Sequence, residues 1–421
     1  MFEAAVVMSR KWDAGEAGEE IGKQITEKMK NKPKFVLLFS TIHYEKHGGF
    51  QKFLDAVNTQ LLKDTPVIGG TVAGFMNNYG CYTRGASALA VYSDEMDVAV
   101  GVGHNTKRNP KKAAEECAGM IKHTNSFQNS LTISTISNGT VPPLPLIGRN
   151  RVIRIPIPLL DSLFIKVFSL VNTSLQYGVG REVEVLDAFF KNNQDSDAII
   201  VSSYDDNKSI SNYQFFNTQV KENSICTLSV LSNLRTFSTT AYGIYSVGKS
   251  FKISDQGLFG CTFGQINGMP ATKQMLKILN WPENYLDERI YRRTYYYPIG
   301  YKINETLYPH VMGLFIGNHI CCTYPFKQTE LEVLHTSGSR LIKDIENDLS
   351  SLPPKKNLCL GVACTSQLEF LGANLYKIQE KLTKSFGLVP FLVIFSAGEG
   401  LKSKNEPFKY SNESFNLVAV C

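Results

Sequence analysis

Two short apolar segments of this chain run directly into turns made almost entirely of small residues. Residues 65–74 have the sequence TPVIGGTVAG, and residues 393–400, near the C-terminus, have the sequence VIFSAGEG. Glycine has no Cβ, so main-chain groups at such turns can approach another strand or a ligand closely. We therefore expect both strand ends to meet at a bound ligand, although glycine-rich turns also serve ordinary sheet geometry.

The bulk composition is that of a globular protein with two domains. A chain of 421 residues exceeds a single hydrophobic core, and 43% hydrophobic with 19% charged residues is ordinary for such proteins. The 44 basic and 38 acidic residues are interspersed. The densest basic run, Lys107–Lys112, has no aromatic neighbours, so nucleic acid is not an expected partner.

Cysteine usage and the N-terminus indicate a reducing compartment. The nine cysteines lack zinc-ligand spacing, and His43 and His47 precede two glycines that favour a loop over a metal-binding helix. No metal and no cofactor are expected. The first residues lack the basic region of a signal peptide, and no apolar run is long enough to span a membrane. The expectation is a cytoplasmic protein that does not contact a membrane.

Hydrophobic periodicity predicts an α+β fold. Apolar residues recur every four positions from Ala17 to Met29, as in an amphipathic helix. Elsewhere short consecutive strands outnumber strict strand–helix alternation, so we expect two domains of mixed, largely antiparallel sheets with helices packed on one side. The pattern changes near residue 262, which predicts domains at 1–262 and 263–421. A strand, a small-residue turn and a second strand recur in three places, near 66–92, 240–263 and 390–420.

Several segments in a fixed order resemble the FIST sensory proteins over nearly the whole chain. In the N-terminal part these are residues 65–74 followed by RGASALAV at 84–91. In the C-terminal part they are ACTSQLEFLG at 363–372 and SNES at 411–414. The resemblance implies a FIST N-terminal-like domain over 1–262 and a FIST C-terminal-like domain over 263–421. It also implies an intracellular signal-transduction protein that binds a small molecule, with amino acids the favoured ligands.

Two residues depart from the pattern of that family. Its Cys-x-x-Arg becomes Cys364-Thr-Ser-Gln367, which removes a fixed positive charge, and Ser411 replaces a histidine that often precedes the late Asn412. If the family arginine pairs an anionic group, this chain binds a less acidic ligand or uses Arg84 instead.

The polar residues at the strand ends each have a functional and a structural interpretation. Arg84 could clamp a carboxylate or cap carbonyls at a strand end. Glu399 could receive an ammonium group, act as a general base, or be an exposed turn acid. Asn412 offers a donor and an acceptor, or simply shapes its turn. Cys364 precedes a helix and could be a nucleophile, but without a nearby histidine a pocket wall is favoured.

These observations predict a non-enzymatic intracellular sensory protein that binds a small ligand, an amino acid or similar metabolite, and signals to a partner protein. The expected ligand-binding residues are Gly69, Gly70, Thr71, Arg84, Cys364, Gln367, Gly398, Glu399 and Asn412. Two alternatives stay open at this point. One is an enzyme that uses Cys364 or Glu399 on a small metabolite, and the other is a protein-binding scaffold.

Overall fold

The computed structural model describes residues 1–141, 150–155, 160–191, 193–204, 211–304, 306–404 and 406–421. Three stretches of the chain, which we call the first, second and third repeats, share one order of strands and helices. The first repeat contains β1 (Phe2–Ser9), α1 (Ala14–Lys28), β2 (Phe35–Thr41), α2 (Phe50–Gln60), β3 (Val67–Val72), β4 (Gly74–Asn77), β5 (Gly80–Tyr82) and β6 (Ala86–Ser93).

The second repeat follows the same plan. It contains β7 (Met96–His104), α3 (Pro110–Met120), β8 (Asn129–Ile136), β9 (Val152–Ile153), α4 (Asp161–Ser174), α5 (Glu182–Lys191), β10 (Asp197–Ser202), β11 (Gln214–Phe216), β12 (Gln219–Lys221) and β13 (Ser224–Ser232).

The third repeat is interrupted by a long insertion after its first strand, β14 (Thr236–Ala241). The insertion contains β15 (Ile244–Gly257), β16 (Thr262–Ile266), β17 (Met269–Pro270), α6 (Ala271–Leu279), α7 (Ile290–Thr294), β18 (Ile299–Ile303), β19 (Thr306–His310), β20 (Met312–Ile316), β21 (His319–Cys322) and β22 (Glu330–Thr336). The repeat then resumes with α8 (Gly338–Ser351), β23 (Leu358–Cys364), α9 (Ser366–Phe370), α10 (Leu375–Phe386), β24 (Phe391–Ser396), β25 (Glu399–Lys402), β26 (Lys409–Ser411) and β27 (Phe415–Val420).

Each repeat builds four strands of a six-stranded sheet in the same spatial order. The orders are β1–β6–β2–β3, β7–β13–β8–β10 and β14–β27–β23–β24. In each sheet the two strands joined through a helical connection are parallel, namely β2 with β3, β8 with β10 and β23 with β24, and the remaining pairs are antiparallel. The three repeats are therefore related by an approximate threefold symmetry.

A hairpin exchange completes the three sheets. The hairpin β4–β5 of the first repeat pairs with β24 of the third, β25–β26 of the third pairs with β10 of the second, and β11–β12 of the second pairs with β3 of the first. Each repeat thus supplies the edge of another repeat's sheet, in one cyclic direction. The exchange covers sheet edges that would otherwise be unpaired.

The inner faces of the three sheets share one apolar core, and the helices cover the outer faces. Leu37, Ile133 and Leu360, one from each sheet, belong to the same buried cluster. Helix α1 begins at the N-cap Asp13, whose carboxylate accepts the N–H groups of Gly15 and Glu16. Its apolar stripe, which includes the buried Ile21 and Ile25, packs on the outer face of the first sheet. The predicted α+β class, with mixed sheets and helices, is confirmed.

Among the described residues the insertion forms a fourth, nine-stranded sheet, joined by β9 through its parallel pairing with β20. Helices α6 and α7 pack on this sheet around a separate apolar cluster. The expected division at residue 262 stays a prediction, and strand pairs such as β4–β24 and β10–β25 join residues on either side of it. No helix in the described part of the chain has both the length and the apolar character needed to cross a membrane.

Candidate ligand-binding site

Strands β3, β10 and β24, one from each repeat, end side by side and are tied together by main-chain hydrogen bonds. We call these bonds the strand-end ring: Ala73 N–H to Phe395 carbonyl (2.9 Å), Ala397 N–H to Ser202 carbonyl (3.2 Å) and Tyr204 N–H to Thr71 carbonyl (2.8 Å). Each repeat donates to one neighbour and accepts from the other. The carboxyl ends of parallel strands are where ligands commonly bind in α/β sheets, so the ring is the first place to search for a site.

The predicted residues Gly69, Gly70 and Thr71 lie in β3, at or just before the ring. A Cβ added to Gly69 would be 1.7 Å from the carbonyl oxygen of Leu38, and one added to Gly70 would be 2.5 Å from that of Tyr213. Both glycines occupy ladder positions between β2 and β11. They permit close strand packing, while Thr71 supplies a ring carbonyl.

A cavity of about 70 Å³, which we call the axial cavity, opens beside the strand-end ring. It is lined by Asn138, Arg151, Tyr204, Tyr291, Tyr295, Val311, Gly313, Thr323, Cys364, Thr365, Ala397 and Asn412. These residues come from the second repeat, the third repeat and the insertion. Of the site residues predicted from sequence, Cys364 and Asn412 belong to this lining.

Asn412 connects the third repeat to the nine-stranded sheet. Its Oδ1 accepts hydrogen bonds from the hydroxyl of Thr323 and from the main-chain N–H of Val311, the latter over 3.5 Å. The side chain is 1% exposed. Asn412 therefore lies where a ligand in the axial cavity would contact both layers of the molecule.

Glu399 is fully buried next to the cavity wall. Its Oε1 accepts the main-chain N–H of Ser414 over 2.8 Å and the hydroxyl of Ser414 over 3.0 Å. Its Oε2 has no hydrogen-bond partner among the described residues. Burial raises the pKa of this carboxyl well above its usual range, and the two bonds from Ser414 only partly oppose that effect. Burial thus favours the neutral, protonated form of Glu399.

A second buried acid, Glu413, lies close to Glu399 and to Cys364. Burial raises the pKa of Glu413 to about 8. Burial also raises the pKa of the Cys364 thiol, and the nearby carboxyls of Glu399 and Glu413 raise it further. A protonated thiol is a poor nucleophile, so these electrostatics suit Cys364 to a wall position.

Glu399, Glu413 and Cys364 lie together with Ser366 and Gln367. We call this group of five residues the carboxyl chamber. The Nε2 of Gln367 donates to the carbonyl of Ser414 over 3.0 Å. In the described part of the structure, Glu399 Oε2, both carboxyl oxygens of Glu413, Gln367 Oε1 and Ser366 Oγ are buried without a hydrogen bond of regular geometry, although the Ser366 hydroxyl lies near enough to Glu413 to lower its pKa and Cys364 does the same for Glu399. Buried polar atoms in proteins are nearly always paired, so the chamber is suited to a hydrogen-bond donor such as an ammonium group.

Gly398 and Arg84 occupy different surroundings. A Cβ added to Gly398 would be 2.1 Å from the hydroxyl oxygen of Tyr410, so glycine is required there by packing. The Arg84 guanidinium lies 4.3 Å from the ring centroid of Trp12 in the first repeat, and Arg84 is not part of the axial-cavity lining.

Arg84 nevertheless has a symmetry-related position in the third repeat. The N–H of Thr41 donates to the Gly85 carbonyl over 2.9 Å, and the N–H of Cys364 donates to the Ser414 carbonyl over 3.0 Å. Arg84 therefore corresponds to Glu413, since each lies two residues before the first residue of the last strand in its repeat. The same backbone position is basic in one repeat and acidic in another.

Several lining residues were missed by local sequence patterns. Arg151 directly precedes β9, and the pairing of β9 with β20 brings Arg151 to the axial cavity. Tyr291 and Tyr295 come from the tyrosine-rich segment 291–301 of the insertion. Asn138 lies two residues after the end of β8, and Thr365 lies one residue after the end of β23. The recurring strand-end pattern was the signal that could have identified Asn138.

The sequence of this chain matches one protein-family model. No curated protein matches the chain. Among solved structures, the crystal structure of cyanuric acid hydrolase from A. caulinodans is similar at 6% identity with a TM-score of 0.34, covering 100% of this chain and 99% of that chain. A TM-score this low supports no inference about fold or activity. The FIST N domain model matches two overlapping segments, residues 2–114 and 34–256. The chain therefore belongs to the FIST family.

Proposed function

We propose that this protein is a sensory protein that binds a small, amino-acid-like metabolite in the axial cavity. Membership of the FIST family is consistent with a sensory role in signal transduction. The observation that carries the proposal is the position of the cavity, which lies at the converged strand ends with an arginine in its wall and the carboxyl chamber behind Cys364. A cation in the cavity wall, with buried carboxyls next to Cys364 of the same wall, suits a small ligand that carries both an ammonium and a carboxylate.

The cation in the wall is Arg151. Its Nη1 donates to the Gly313 carbonyl over 3.2 Å, and its guanidinium carbon lies 4.2 Å from the ring centroid of Tyr291. These contacts fix the orientation of the planar guanidinium, which is the geometry that binds carboxylates best. In the proposal, Arg151 therefore faces the carboxylate of the ligand.

The acidic side is the carboxyl chamber. Glu413 is close enough to influence the ionisation of Tyr295, which lines the cavity. An ammonium group beside Tyr295 and Cys364 would favour the ionised form of Glu413. The cavity of about 70 Å³ is far smaller than drug-sized pockets of roughly 300 Å³ or more, which restricts the ligand to a small metabolite.

The proposed signal is a change in the contact between the third repeat and the nine-stranded sheet. Asn412 and Thr323 link these two layers and both line the cavity. A ligand that binds one arrangement of the layers better than another shifts the population toward it. A partner protein would then recognise the favoured arrangement.

A cavity-filling variant tests the proposal. Ala397 lines the axial cavity, so Ala397→Leu fills it without removing a polar group; Ala373→Leu places the same side chain at an exposed position. We expect a panel of amino acids to contain ligands that raise the Tm of wild type and of Ala373→Leu, but not of Ala397→Leu. A ligand at 100 times its Kd stabilises by about 2.7 kcal/mol, which is easily detected. The proposal is contradicted if no amino acid of the panel raises the Tm of wild type, or if ligands raise the Tm of Ala397→Leu as much as that of wild type.

A further inference from the structure

A second cavity of about 90 Å³ adjoins the axial cavity, and we call it the lateral compartment. Asn138, Arg151, Gly313 and Thr323 line both spaces. The other lining residues are Gly139, Thr140, Val141, Val179, Gly180, Glu182, Leu314, Cys321 and Cys322. The two cavities therefore meet at these four shared residues.

Glu182 provides the carboxyl group in the lateral compartment. It is the first residue of α5 and is 4% exposed. Its Oε1 accepts the main-chain N–H of Gly139 over 2.5 Å, whereas its Oε2 is buried and has no partner in the described part of the chain. Because a buried polar atom without a partner is costly, Oε2 is an acceptor available to a ligand.

The electrostatics around Glu182 favour the arrival of a cation. Burial raises the pKa of Glu182 to about 7, opposed by its main-chain hydrogen bonds and by the nearby cation Lys107. Even with Lys107 present, the carboxyl is less ionised than a free one at neutral pH. A second cation at Oε2 would stabilise the ionised form.

The remaining walls of the compartment are largely apolar. Val179 and Leu314 contribute aliphatic side chains, and Cys321 and Cys322 contribute buried thiols. Burial raises the pKa of Cys321 to about 12, so its sulfur stays uncharged at neutral pH. Apolar walls beside one carboxyl suit a short methylene chain that ends in an ammonium group.

We infer that Glu182 binds the terminal ammonium of a linear diamino acid, a ligand of the lysine or ornithine class, whose α-amino and carboxylate groups lie in the axial cavity. This inference rests on the proposed function and adds the chemical class of the ligand. In this arrangement the methylene chain passes Arg151 and lies against Val179 and Leu314.

Calorimetric titration with matched ligands tests the inference. L-norleucine has the carbon chain of L-lysine without its terminal amine, so the comparison isolates the ammonium group. We expect wild type to bind L-lysine or L-ornithine roughly tenfold or more tightly than L-norleucine, as is typical for a hydrogen bond to a charged group. Glu182→Gln keeps the acceptor for Gly139 and should abolish the preference for the diamino acid over norleucine.

Glu184→Gln is the matched control on the same helix. Glu184 does not line the compartment, and its Oε2 pairs with the Arg181 Nε at 2.9 Å. This variant should keep the preference for the diamino acid, and thermal melts confirm that both variants fold. Equal binding of lysine and norleucine to wild type, or a preference that survives Glu182→Gln, overturns the inference but leaves the proposed function standing. If wild type binds none of L-lysine, L-ornithine and L-norleucine, the inference is overturned. If it also binds no amino acid of the wider panel, the proposed function is overturned as well.

Discussion

Ser414 donates both its main-chain N–H and its hydroxyl to Oε1 of Glu399, over 2.8 and 3.0 Å. The two residues are fully buried, so Glu399 acts as an internal acceptor that fixes the turn before β27. That turn carries Asn412, which lines the axial cavity, and Glu413, which belongs to the carboxyl chamber. Glu399 thereby acts as a positioning residue for the proposed site.

Substitution of Glu399 separates its acceptor role from its charge. Glu399→Ala leaves two buried donors of Ser414 unpaired and opens a cavity, so we expect a loss of roughly 3 kcal/mol in the free energy of unfolding. Glu399→Gln keeps an oxygen at the same place and should stay within about 1 kcal/mol of wild type. Urea denaturation measures both. If Glu399→Gln lowered the free energy of unfolding as much as Glu399→Ala does, Glu399 would have to be ionised in the folded protein.

The ionisation of Glu413 makes stability depend on pH. Its pKa is raised from 4.5 to about 8 in the folded chain, so between these values the folded state binds more protons than the unfolded state. The contribution of Glu413 to stability is complete below about pH 4.5 and is lost as the pH rises through 8. Since each pKa unit corresponds to about 1.36 kcal/mol, the expected decrease over this window is on the order of 4–5 kcal/mol.

Glu413→Gln cannot titrate and should remove this contribution. We expect its free energy of unfolding, measured with urea at several pH values between about 4 and 9, to fall less with pH than that of wild type. These limits bracket the window between 4.5 and about 8. The Glu182→Gln variant provides a comparison, because the pKa of Glu182 is raised only to about 7 and its window is narrower. Parallel profiles for wild type and Glu413→Gln would contradict the assignment.

The sequence predicted those features that depend on neighbouring residues. The four-residue apolar spacing identified α1, and the small residues at 69–74 and 396–400 identified two of the three strand ends that converge. The hairpin exchange could not be predicted, because β4 and β24 are separated by more than three hundred residues and no local pattern specifies their pairing. Arg151 was missed for the same reason, since the short strand β9 places it.

Arg84 illustrates the limit of local motifs. Its segment, a glycine turn before a buried strand, has the same backbone role as the segment of Glu413, but the first repeat places it against Trp12. Sequence alone could not distinguish these two environments, because they differ only in which distant elements pack against an equivalent position.

Arg84→Gln should therefore affect Trp12 and not ligand binding. Trp12 is 55% exposed, and loss of the guanidinium over its ring should alter its fluorescence and reduce stability by roughly 0.5–1 kcal/mol. The variant Trp12→Phe separates the fluorescence of Trp12 from that of Trp281, the other tryptophan of the chain. Affinity for the ligand, measured by calorimetry, should match wild type. A tenfold weaker affinity in Arg84→Gln would place Arg84 in the binding site.

The glycines of β3 should be intolerant of any side chain. In Gly69→Ala the new Cβ would lie 1.7 Å from the Leu38 carbonyl oxygen, and main-chain atoms on a central strand cannot move aside as a flexible side chain can. We expect a loss of roughly 3 kcal/mol or more, measured by urea denaturation. Gly119→Ala is the matched control: no atom lies within 4 Å of its added Cβ, and it lies within α3. Alanine there should stabilise by about 0.5–1 kcal/mol.

Gly70→Ala tests whether this packing also supports the strand-end ring. Its added Cβ would be 2.5 Å from the Tyr213 carbonyl oxygen, next to the hairpin that the second repeat contributes to the first sheet. Tyr213 also accepts the N–H of Thr71, whose own carbonyl accepts the N–H of Tyr204 in the ring. A shift of the hairpin therefore moves Tyr204, a lining residue of the axial cavity. We expect Gly70→Ala to weaken ligand binding as well as stability, whereas a variant that loses stability but binds with wild-type affinity would uncouple the glycines from the site.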